Sequence, residues 1–226
     1  MQTATDADPV SFGDWTLRAR PSQSANPRLL ILLHGWTGDE NSMWIFTRGL
    51  SPDYWMIAPR APHAADPSGF SWRPIQTSAF GWPSLETLLP AADRLIKLID
   101  EYSASVKLDA LQFDLVGFSQ GAAMANVMGM LHPNRIRKMG VLAGFVPAGL
   151  EGLIAQKPLV GKNIFVAHGT QDQMISIDRA RASIELLEQA GAQITYCEDE
   201  VGHKLSKNCL RSLENYLSFP NGKSRD

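Results

Sequence analysis

The fold of this chain turns on the run Phe113-Asp114-Leu115-Val116-Gly117-Phe118-Ser119-Gln120-Gly121-Ala122-Ala123-Met124-Ala125, which continues as NVMGML to Leu131. Apolar residues lead into Gly117, and an alanine- and methionine-rich run leaves Gly121. The pattern reads as strand, tight turn, helix, the context in which a GxSxG motif mounts a serine with its hydroxyl outward. Small residues at both ends of the motif let strand and helix approach closely, and Ser119 takes the strained position between them. The plainer alternative is a tight strand-to-helix connection with Ser119 as a helix cap. That alternative requires nothing of the rest of the chain, so the flanking segments discriminate.

On the upstream side, LLILLH at 29–34 is continuously apolar, as expected of a strand covered on both faces. It leads into the glycine-containing loop GWTGDEN and a short helix-like stretch ending near Leu50, and YWMIAPR at 54–60 follows as a strand. Before them, WTLRARP at 15–21 suggests an early edge strand. A long connection runs from Ala61 to Ser84, and SLETLLPAADRLIKLIDEYSAS reads as an amphipathic helix whose regular part is expected to begin near Pro90. Downstream of the serine come the strands RKMGVLAGF and NIFVAHG, the helix DRARASIELLEQAG, the strand AQITYCE and a last helix within HKLSKNCLRSLENYLSF. Apolar strands alternating with helices from residue 29 onward imply an α/β fold with a mostly parallel sheet and helices on both faces. No repeat or spare helical block interrupts the order. One domain over 1–226 is therefore expected, without a large cap and with residues 1–10 and 220–226 as frayed ends.

Composition narrows the function classes. The chain has 226 residues, 44% apolar and 19% charged, with a formal net charge of -2. That suits one well-buried core and offers no basic footprint for nucleic acid. No apolar stretch approaches the ~20 residues of a membrane span. The start MQTATDADPVSFGDW lacks the basic and apolar segments of a signal peptide, so a cytoplasmic, reducing setting is expected, with Cys197 and Cys209 both free. Cys197 reads as a small buried hydrophobe.

A serine nucleophile needs a base, an acid to orient the base, and donors for the oxyanion. Candidates follow Ser119 in the order serine, acid, histidine. Asp172 lies in the loop after NIFVAHG, and the nearby Asp178 is assigned to the first turn of the following helix. His203, in CEDEVGHKLS, is the one histidine beyond Asp172. His34 suits a structural role, His168 a buttress for the acid loop, and His63 and His132 carry no motif. The oxyanion donors are expected to be the backbone amides of Gln120 and Trp36, with Thr37 the alternative to Trp36. No metal-ligand pattern, phosphate loop or dinucleotide fingerprint is present, so no metal and no cofactor are expected.

LLHGWTGDE, APRAPH, GFSWRP, VGFSQGAAMA, HGTQDQMI and VGHKLS, in consistent order from about residue 29 to 204, resemble the phospholipase/carboxylesterase group of α/β-hydrolases, which includes acyl-protein thioesterases and small bacterial carboxylesterases. The resemblance implies an α/β-hydrolase fold and a Ser119–Asp172–His203 triad with oxyanion amides at Trp36 and Gln120. It further implies short or medium acyl esters, lysophospholipids or acyl thioesters as substrates. Thr37 makes the first loop longer than the HGxGD run of many relatives. Candidate pocket residues are Met43 and Trp44 after the first loop, Phe70, Trp72, Phe80 and Trp82 in the long connection, and Phe145 and Val146 in GFVPAG. Expected partners are small acyl esters or a lipid or acylated-peptide substrate, with the protein a monomer or homodimer.

Overall fold

A computed structural model describes residues 8–74 and 82–218. Its centre is an eight-stranded sheet formed by β1 (Asp8–Phe12), β2 (Trp15–Arg20), β3 (Arg28–Leu33), β4 (Tyr54–Pro59), β7 (Phe113–Phe118), β8 (Ile136–Leu142), β9 (Asn163–Gly169) and β10 (Gln193–Asp199). The order is β1-β2-β4-β3-β7-β8-β9-β10; β2 pairs antiparallel with both β1 and β4, and every other pairing is parallel. A two-residue ribbon, β5 (His63–Ala64) with β6 (Phe70–Ser71), lies in the long connection.

Period-two alternation shows why the middle of the sheet reads as unbroken apolar sequence. In β3, Leu29, Ile31 and Leu33 face one core cluster, while Leu30 and Leu32 face the other. The first cluster is covered by α1 (Leu85–Ser105), α2 (Gln120–Leu131), α3 (Glu151–Ile154) and α4 (Ile177–Gln189). The second is covered by a short 3-10 helix, Ser42–Phe46, and by α5 (Lys207–Ser218), through Met43, Phe46, Cys209, Leu213 and Leu217. All but the last residue of α2 are buried, which explains why its sequence is apolar all round.

Three expectations are corrected. WTLRARP is not the edge: β1 lies outside it and completes an antiparallel hairpin. The long helix begins at Leu85, five residues before Pro90, because Ser84 and Thr87 form a reciprocal capping box that fixes its start. Cys197 and Cys209 are not free; they form a disulfide between β10 and α5. They stand 12 positions apart in sequence, and only the docking of α5 beside β10 brings them together. Of the ends expected to fray, 1–10 and 220–226, residues 1–7 and 220–226 lie outside the described residues, whereas residues 8–10 belong to β1. Among the described residues no helix is long and apolar enough to cross a membrane.

Strand order reverses at β3. The chain leaves β3 for β4 on one side, and β7 later joins β3 on the other. The crevice beyond the carboxyl ends of β3 and β7 is the switch point of the sheet, where open α/β folds place their ligands. The loop after His34 and the turn at Ser119 both open into it.

Candidate active site

Ser119 links the last residue of β7 to the first of α2 with φ 55° and ψ -116°, a strained backbone for a non-glycine residue. Its neighbours explain why the turn closes so tightly. A Cβ on Gly117 would overlap the carbonyl of Gly121, and a Cβ on Gly121 would overlap the Leu33 carbonyl at the end of β3. The motif glycines are thus needed for close backbone approach, and the strain is held by packing on both sides.

His203 Nε2 lies 2.9 Å from Ser119 Oγ, and His203 Nδ1 lies 2.7 Å from Asp172 Oδ2. Asp172, with no exposed side-chain surface, is fixed at its other oxygen: Oδ1 accepts from the amides of Met174 at 2.9 Å and Ile175 at 3.0 Å. His168 Nε2 stands 3.4 Å from Asp172 Oδ2 and donates to the Ile175 carbonyl at 2.8 Å, so it braces the same loop. The Phe118 ring packs against the His203 imidazole with centroids 5.0 Å apart. Asp178 sits exposed in the first turn of α4, away from this chain of bonds. A hydroxyl, an imidazole and a buried carboxylate in sequence can relay a proton from oxygen to nitrogen and stabilise the imidazolium that results.

The loop after β3 passes directly beside the serine, since a Cβ on Gly35 would stand 3.1 Å from Ser119 Cβ. Of the two alternative donors there, the Thr37 amide is committed to the Phe70 carbonyl at 3.0 Å. Gln120, as the first residue of α2, has an amide without a partner inside the helix. The loop is braced from behind. His34 Nδ1 donates to the Gly35 carbonyl and its Nε2 accepts from the Ala61 amide, so the ring is a neutral tautomer; burial pushes its pKa below the usual histidine value. Glu40, almost fully buried, takes a two-point ion pair from Arg60 at 2.7 and 2.8 Å, and that bond holds its carboxyl below the ordinary range.

The aromatic candidates divide. Phe70 pairs through its backbone with Thr37 and Gly38, which places it against the first loop. Trp72 is fully buried: Nε1 donates to the His34 carbonyl at 2.8 Å, and its amide donates to the Gln120 side chain at 2.9 Å. Trp82 is half exposed and meets Phe145 edge-on at 4.9 Å, with the Arg179 guanidinium over both rings. Val146 is buried, its amide bonded to Ser183 Oγ. Met43 lies in the core beneath the sheet, and Trp44 turns toward Arg18 and Arg20. Phe80 falls outside the described residues. Two contributors escaped sequence reading, the Gln120 side chain as a tether for Ser71 and Trp72, and Arg179 as a wall beside Trp82. Nothing in SQG or DRARAS marks either, because both act through contacts between distant segments.

A serine on a strand-to-helix elbow at the switch point of a mostly parallel sheet flanked by helices defines the α/β-hydrolase class. The chain belongs to the phospholipase/carboxylesterase family, whose pattern matches residues 18–221. It is 29% identical over 106 residues to the carboxylesterase SOBER1 of Arabidopsis thaliana, a match covering 46% of each chain and so about half the length of that relative. It is 28% identical over 182 residues to acyl-protein thioesterase 1 of Yarrowia lipolytica, covering 74% of this chain and 79% of that one. The carboxylesterase of Bacillus cereus superposes with a TM-score of 0.79 at 21% identity, over 91% of this chain and 94% of that one, which is a likeness of fold. The first two of these relatives are a carboxylesterase and an acyl-protein thioesterase.

Proposed function

We propose that this protein is a serine carboxylesterase, a single α/β-hydrolase domain that cleaves short- to medium-chain carboxylic esters through an acyl-enzyme. The observation that carries the proposal is the unbroken hydrogen-bonded chain Ser119–His203–Asp172 centred on a strained elbow. In the proposed cycle His203 takes the Ser119 proton as Oγ attacks the acyl carbonyl, and Asp172 stabilises the imidazolium. The amides of Gln120 and Trp36 receive the oxyanion, with Trp36 favoured over Thr37 because the Thr37 amide already serves Phe70. His203 then protonates the leaving alcohol, and water activated by the same ring releases the acid. This chemistry calls for no cofactor.

Phe70 and Trp82 would supply apolar surface for the acyl group, with Phe145 buried behind Trp82. A second reading, acyl thioesterase or lysophospholipase, draws on the same intermediate and on the likeness to the Yarrowia protein. The cytoplasm is the proposed location, where thiol buffers would hold the Cys197–Cys209 pair in exchange between disulfide and dithiol. The test is turnover of p-nitrophenyl esters of increasing chain length, beside a palmitoyl thioester peptide, by the parent and by Ser119→Ala. Loss of ester turnover in a folded variant supports the nucleophile. Turnover at the parent rate removes it, and faster cleavage of the thioester favours the second reading.

A further inference from the structure

The disulfide brackets the proposed base. Cys197 lies near the end of β10, Cys209 in the first turn of α5, and His203 falls midway in the loop between them. The front of that loop is tied to the acid loop by two backbone bonds, Thr170 amide to Asp199 carbonyl at 2.9 Å and Gln171 amide to Val201 carbonyl at 3.1 Å. Past Val201 the backbone bonds to the acid loop end, and the loop is held by the His203 side-chain bonds and by Leu205 packed on the second core cluster. Among the described residues, the main-chain bonds from Gly202 to Ser206 stay within the loop and the start of α5: the Lys204 amide donates to the Gly202 carbonyl, the Leu210 amide to the Ser206 carbonyl and the Cys209 amide to Ser206 Oγ. The rear of the loop therefore depends on where α5 sits.

Cys209 is buried among Phe165, Ala167, Leu213 and Leu217 on one face of the sheet, while Cys197 lies on the edge strand β10, paired with Ala167. A covalent bond between them fixes the first turn of α5 against the strand from which the His203 loop departs. β10 has one neighbour in the sheet, β9, so this end of the site has less lattice around it than the Ser119 end, which is sandwiched between β3 and β8.

We propose that the Cys197–Cys209 disulfide is a positioning element of the active site: by closing the loop that carries His203, it sets the imidazole against Ser119 and Asp172, so turnover depends on its oxidation. The proposal rests on the roles assigned above to Ser119 and His203. A misplacement of a reacting group by about 1 Å costs on the order of 10²-fold in rate. A loop whose rear rests on the packing of Leu205 and α5 alone, without the covalent tie to β10, would sample such displacements. In the redox step, dithiothreitol gives two electrons and two protons to the bond and closes to its own cyclic disulfide, leaving Cys197 and Cys209 as thiols. Cys209 is buried in the second core cluster and Cys197 packs against it, so the effect is expected in kcat, with KM little changed.

The experiment compares oxidised protein, protein reduced with dithiothreitol, reoxidised protein, and the Cys197→Ala/Cys209→Ala variant. Each is assayed on one p-nitrophenyl ester well below the melting temperature of the reduced form, with circular dichroism recorded on the same samples. The expected result is a fall in kcat of about tenfold or more on reduction with the fold retained. Reoxidation restores it, and the double variant matches the reduced enzyme and ignores dithiothreitol. Equal kcat in oxidised and reduced folded protein overturns the proposal, as does loss of the near-ultraviolet signal together with activity, which makes the bond a staple of the whole fold. Two titratable thiols in protein purified in air without reductant also overturn it. Ser119→Ala assayed alongside separates the two levels: a variant active at the parent rate defeats the nucleophile assignment itself, whereas an inactive variant with redox-indifferent parent defeats only the disulfide's role.

Discussion

Replacing Asp172 with asparagine changes one oxygen for one NH₂ group, and the surrounding bonds determine which. Asp172 Oδ1 accepts two backbone amides, from Met174 and Ile175, and both donors require an oxygen. The asparagine oxygen is therefore held at that position and its NH₂ is turned to His203 Nδ1, which now faces a donor across 2.7 Å. The ring resolves the conflict by placing its proton on Nε2, the nitrogen that must take the proton from Ser119 Oγ. The variant keeps its shape and loses its base. In serine hydrolases of known mechanism the same tautomer switch costs about 10⁴-fold in kcat. At about 1.36 kcal/mol per decade this is close to 5.4 kcal/mol of transition-state stabilisation. Steady-state hydrolysis of p-nitrophenyl butyrate measures it, with a thermal melt to establish folding. A folded Asp172→Asn enzyme within tenfold of the parent would refute the assignment of the acid and transfer the role elsewhere, first to Asp178 or Asp199.

Other perturbations separate stability from chemistry. Asp114, fully buried at the start of β7, accepts from Arg28 and Tyr54 at 2.6 Å each and from Arg137 at 3.1 Å. Asp114→Asn leaves two guanidinium groups without their counter-charge and is expected to cost about 3–5 kcal/mol, read as a drop in melting temperature. Its distance from Ser119, five strand residues or about 16 Å, should leave kcat near the parent value; a large fall in kcat in folded protein would contradict this separation. His34 supplies a pH test. Its folded pKa lies below the unfolded value because of burial, so its contribution to stability is complete above about pH 6.5 and is lost as pH falls, when the unfolded chain takes up the proton first. Melting temperature should therefore decline less between pH 8 and pH 5 in His34→Gln than in the parent, and equal declines would exclude the effect.

What could be read in the sequence follows from how local each feature is. β3 and β7 are buried on both faces, so their continuous apolar runs announce them, and the elbow is a contiguous motif. Asp172 and His203 stand out as candidates because each follows a legible strand in an order with chemical meaning. The alternation in β1 is short and sits at the rim, where few contacts impose a pattern. Pro90 suggested a helix start that Ser84 and Thr87 in fact provide five residues earlier, since a capping box outweighs a proline placed in an exposed turn. The disulfide had no local signature; it exists because β10 and α5 lie side by side. The same holds for the Gln120 tether and for Arg179 over Trp82 and Phe145, contacts between segments far apart in the chain. Aromatic content in the 61–84 connection suggested a pocket, yet Trp72 is wholly consumed in bracing His34 and Gln120.

The nucleophile assignment is tested most directly by treating the folded protein with a fluorophosphonate and locating the adduct by peptide mass spectrometry. A single adduct on the peptide containing Ser119 is expected, formed in step with loss of ester turnover and absent from Ser119→Ala. An adduct on another residue, or full turnover in protein fully labelled at Ser119, would contradict the proposed mechanism at its centre.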